Sequence, residues 1–118
     1  MTGARPTPAE LRLRETVEEV CAELGSLSQA YDESRAIRVI KALGNCDAFI
    51  APSLNYLHTR DQEKARADFH QACERLSGAI RQAVGHPSVE RREQVVHEAQ
   101  ALGRAAEHLR AAFDWPEP

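Results

Sequence analysis

Aromatic side chains are scarce in this sequence. Three Phe, two Tyr and one Trp are all that 118 residues provide, so a core has to be built from aliphatic side chains and alanine. Such a core suits closely packed helices. Lysine is nearly missing too. Thirteen of the fifteen basic residues are arginine, which with the abundant alanine reads as the codon bias of a GC-rich, bacterial genome rather than as chemistry. No charge of one sign dominates: the formal net charge is -3, and basic residues alternate with acidic ones. That denies the chain the positive field a phosphate backbone requires and sets nucleic-acid binding aside. No run of about 18 apolar residues occurs, the least a membrane-crossing helix needs. Residues 1–8 contain no apolar stretch to serve as a signal-peptide core. The expectation is a soluble cytoplasmic protein with neither a membrane nor a nucleic-acid partner.

Cysteine is sparse and unpatterned. The three residues Cys21, Cys46 and Cys73 are odd in number and show no CxxC spacing, so they are expected as reduced thiols filling small gaps. The sequence also lacks a GxSxG elbow, a Walker loop, an HExxH pair, a dinucleotide fingerprint and the Glu-x-x-His pairing of di-iron bundles. Nothing supports catalysis, and the chain reads as non-enzymatic.

What is present is helical periodicity. The length fits one domain, read here as a single helical unit over residues 1–118, with residues 1–6 as a flexible arm and residues 114–118 as a tail. Thr7, Pro8 and Glu10 compose a helix start, with Thr7 as cap and Pro8 at the first helical position, where its missing N–H costs nothing. Leu13, Val17, Val20, Leu24, Leu27 and Tyr31 then step by fours and threes, the period of one buried helix face. Gly25, Ser26 and Ser28 weaken that helix, and Asp32 with Glu33 suits a new N-terminus, so the first turn falls within residues 25–32.

A second stripe follows at Ala36, Ile40, Leu43, Asp47, Ile50, Leu54 and Leu57, with a kink or break expected near residues 48–51 because Pro52 cannot donate to the preceding turn. The third helix carries Ala65, Phe69, Ala72, Leu76, Ala79, Ile80 and Ala83, and stops at Gly85 and Pro87. Ser88 caps a fourth helix bearing Val89, Val95, Val96, Ala99, Leu102, Ala106, Leu109 and Phe113. Short connections force neighbouring helices to run antiparallel. The predicted fold is therefore all-α, an antiparallel up-down-up-down four-helix bundle with its second helix kinked or broken near Pro52.

Two groups of residues could carry function. The second helix has a further apolar face of Val39, Cys46, Phe49 and Tyr56, and residues 48–57 hold no charge. A helix apolar around most of its circumference needs cover on more than one side, which points to a protein partner, most simply a second copy. Val39, Phe49, Tyr56 and Trp115 are the expected interface residues, since buried aromatic anchors dominate such contacts. The competing group is Cys46, Asp47, His70 and Cys73. Counting outward from the turn near Thr59 puts the two cysteines at similar depth, and thiolate, imidazole and carboxylate are the donors a divalent metal such as zinc takes. His97 and His108 point away from the apolar stripe and read as solvated. A phosphotransfer role for His97 lacks the lysine and glycine expected after such a histidine. The reading adopted is a non-catalytic interaction module without a cofactor, self-associating through its second helix; the alternative is a small bundle holding a metal or cofactor.

Overall fold

The computed structural model describes the backbone of residues 8–53 and 60–114, and the side chains of residues 10–44 and 60–114. Four helices follow one another: α1 over Pro8–Leu24, α2 over Glu33–Ser53, α3 over Arg60–Gly85 and α4 over Val89–Phe113, with a 3-10 turn at Gly25–Ser28 after α1. Pro8 is the first residue of α1, where its fixed φ is preorganised for a helix; Thr7 lies outside the described residues. Gly25 takes φ +39°, a left-handed conformation that glycine adopts without penalty, and there the α-helical path tightens into the 3-10 turn. Asp32 then caps α2, its Oδ1 accepting from the Arg35 amide at 3.3 Å.

The α3 to α4 turn is set by the residues expected to set it. Gly85 is the last residue of α3, Pro87 cannot continue the helix, and the Ser88 side chain accepts from the Arg91 amide at 3.1 Å. At the far end of α4, Asp114 turns left-handed at φ 55° and returns its amide to the Ala111 carbonyl. α2 runs as one helix through residues 48–51 to Ser53. Pro52 is thus part of α2; residues 54–59 lie outside the described backbone, as do residues 1–7 and 115–118, where the arm and the end of the tail are expected.

Cross-helix hydrogen bonds establish the antiparallel bundle. Gln62, at the start of α3, donates to the Ala112 carbonyl near the end of α4 at 3.2 Å, while Arg35 at the start of α2 donates to the Glu23 carbonyl at the end of α1 at 3.2 Å. α3 packs most extensively on α4 and α1 on α2; α2 joins the two hairpins through α3, and the 3-10 turn docks on α4. There Gln100 donates to the Ser28 carbonyl at 2.9 Å. The result is a rod of 52 × 24 × 20 Å, about two helix diameters across.

The core is aliphatic, as the composition requires. Leu13, Val17, Val20, Leu24 and Leu27 are buried in line, facing Phe69, Leu76, Ile80, Leu102 and Leu109 from the other hairpin. Two elements depart from expectation. Val89 is 69% exposed, because the first turn of α4 projects beyond the buried part of the bundle. Among the described side chains of α2 the buried ones are Ala36, Val39, Ala42 and Leu43, while Ile40 is only half-buried. Its inward face is rotated by about 50° from the expected stripe. Ala36-Ile40-Leu43 and Ala36-Val39-Leu43 are both valid helical spacings, and packing against α1 and α3 selects the second.

Candidate functional site

That rotation moves the candidate interface. Val39, expected to face a partner, is fully buried in the chain's own core and has no surface to offer. Its place outside is taken by Ile37, which is 42% exposed, in line with half-buried Ile40 and with Gly44, around whose Cα a side chain would meet nothing within 4 Å. These three positions follow i, i+3, i+7 spacing and so share one face of α2. Arg38 flanks them, its Nε 4.0 Å from Glu23 Oε2, and Lys41 is exposed beside it. Phe49 belongs to α2, but its side chain lies outside the described residues; Tyr56 and Trp115 lie outside them altogether.

The proposed metal ligands are described only in part. Cys46 and Asp47 occupy α2, with side chains outside the described set. Cys73 packs fully buried among the core residues of α3. His70, one turn earlier, stands half-exposed with its Nε2 2.9 Å from Glu74 Oε1. The two therefore face different environments, core and rim. Among the described residues no group of three or more His, Cys, Asp or Glu side chains converges as a metal centre would.

A charged residue that the sequence reading missed occupies the interior instead. Arg66 is completely buried, the largest such side chain among the described residues. Removal from water lowers the pKa of its guanidinium, opposed by the nearby charge of Glu63. Position 66 precedes Phe69 and Cys73 by three and seven residues, so it shares a helix face with two core residues. That spacing was its one signal in the sequence. Arginine's aliphatic stem, which packs readily against apolar neighbours, lets such a position be filled.

The second feature is a groove along the solvent side of the α3/α4 seam. One cavity of about 260 Å³ lies against Asp61, Lys64 and Ala112. A neighbouring one of about 350 Å³ lies against Gln71, Arg75 and Arg104, over Ala72, Ala101 and Ala105. Asp68 and His108 line both. Alanines on the facing helices keep the floor shallow, and long polar side chains form the walls. His108 and His97 are both exposed, as expected from their positions on α4.

Tyr31 closes the opposite end of the molecule. Its ring stacks under Arg92, whose guanidinium carbon is 5.7 Å from the ring centre, a cation–π geometry. Its hydroxyl is buried without a hydrogen-bond partner among the described residues. Burial raises the phenol pKa, Glu33 adds to the rise and Arg92 opposes it. No helix among the described residues is long and apolar enough to cross a membrane. No protein-family model, curated protein or solved structure matches the chain.

Proposed function

We propose that this chain is a non-catalytic helical interaction module that self-associates through the outer face of α2. The observation that carries this reading is the exposure of Ile37 in line with Ile40 and Gly44. A β-branched apolar side chain followed by an open glycine is a seam on which a second helix can lie closely, because the missing side chain lets backbones approach. The residues 48–57 that follow in sequence hold no charge and include Phe49 and Tyr56; on a wheel of 100° per residue Phe49 steps about 145° away from the row of Ile37, Ile40 and Gly44, so the proposed seam does not rest on it. A two-fold pairing of α2 with its copy would use one patch twice, the commonest arrangement for soluble homo-oligomers. The near-neutral, mixed-sign surface favours a protein partner over nucleic acid, and the setting proposed for it is the cytosol.

Light scattering over a concentration series, on wild type and on Ile37→Glu and Phe49→Glu separately, tests this. The expected result is a wild-type dimer that Ile37→Glu converts to monomer, since a carboxylate in an apolar seam must be desolvated without a partner. A wild-type protein that stays monomeric at every concentration overturns the self-association.

A further inference from the structure

We propose that the cavity over Ala72, Ala101 and Ala105 binds an oxyanion, a carboxylate or phosphate group, held between the guanidiniums of Arg75 and Arg104 with Gln71 as a further donor. This site lies on the α3/α4 seam and is independent of the α2 face. The two arginines and Gln71 line one cavity of about 350 Å³. They come from facing antiparallel helices, so their side chains converge on it from opposite walls.

The register fixed by Gln62 opposite Ala112 puts Arg104 level with His70 on α3, and Arg75 five residues further along, about 7.5 Å up the axis. With helices packed about 8–10 Å apart, the two Cα atoms lie roughly 12 Å from each other, a span two extended arginines can bridge through a shared anion. The fold itself uses neither guanidinium. Arg14, Arg35, Arg38 and Arg91 are each engaged by a carboxylate or carbonyl, whereas no ion pair or hydrogen bond among the described residues involves Arg75 or Arg104.

Two like charges directed at one cavity favour an anion there, and the planar guanidinium fork matches the paired oxygens of a carboxylate or phosphate. The alanine floor leaves room for the anion to sit low between the helices. Asp68 lines the same cavity, two turns from Arg75 but, in this register, level with Ala106 and so only about 3 Å along the axis from Arg104. It repels a second anionic group there, so the ligand carries a single oxyanion.

Amide shifts in the full chain, titrated with inorganic phosphate and separately with acetate at constant ionic strength against chloride, test the site. The expected result is saturable movement of the Ala72, Ala101 and Ala105 amides, with the midpoint raised at least tenfold in Arg75→Gln and in Arg104→Gln and unchanged in Arg81→Gln. Saturation by phosphate alone assigns a phosphate-type ligand, and saturation by both admits carboxylates. A wild-type response that is linear and unsaturated, or one that survives in the double variant, overturns the proposal. Equal weakening by Arg81→Gln also overturns it, because general surface charge would then account for the shifts.

Discussion

At the scale of single residues, the buried arginine and the capped tyrosine make opposite predictions. Arg66 is fully enclosed in the core, so Arg66→Ala removes packing volume and leaves a cavity where the side chain lay. The expected loss is about 2–5 kcal/mol, as for other large-to-small substitutions in a core, read from urea denaturation. A base whose pKa falls on folding holds its proton less firmly when native and so subtracts stability at every pH below its folded value. Arginine remains charged across the accessible range, which makes that cost constant with pH rather than a source of pH dependence. Tyr31 differs. Its folded pKa is raised from 10.0, so the unfolded state ionises first and the group's contribution to stability is lost as pH climbs through about 10. Tyr31→Phe should flatten that alkaline decline. By relieving a buried hydroxyl with no partner among the described residues, it should also raise stability at neutral pH by about 1 kcal/mol.

At the scale of the element, the ends and the glycines decide. Ser88 provides the side-chain cap of α4, and Ser88→Ala should cost about 1 kcal/mol in chemical denaturation. Gly44 stands inside α2 with open space where a side chain would go, so Gly44→Ala should stabilise the dilute protein by about 0.5–1 kcal/mol through helix propensity. The same change should weaken self-association, because it fills the seam beside Ile37. Gly25 behaves in the reverse sense. Its φ is +39°, and an added Cβ would lie 2.9 Å from Arg35 Nη1, so Gly25→Ala combines backbone strain of about 1–2 kcal/mol with displacement of the arginine that ties α2 to the end of α1.

At the scale of the whole molecule, two helical hairpins meet along a rod 52 Å long. A helix on the outside of such a rod is covered on one side only, which is why the rotation of α2 bears on assembly. If the exposed face carrying Ile37 joins a second copy, the midpoint of thermal unfolding should rise with protein concentration, since association stabilises the native state by mass action. Scanning calorimetry from micromolar to millimolar protein should show that rise for wild type and lose it for Ile37→Glu.

The sequence by itself determined the helical class, the four segments and most of their ends. Pro8, Asp32, Pro87 and Ser88 act through bonds made or forbidden within a few residues, and such local chemistry is legible without a fold. It also placed the α1 stripe and the buried core of α4 from Val95 onward, where a single spacing of apolar residues fits. The tertiary structure alone decided which side of α2 faces inward, because Val39 and Ile40 are adjacent, similar in shape and equally consistent with helical periodicity; only the volume offered by α1 and α3 distinguishes them. It likewise decided that Arg66 is engulfed while Arg75 and Arg104 share the wall of an open groove. Arginines look alike along a chain, and whether one is dry or wet depends on how closely the alanines beside it let the next helix approach.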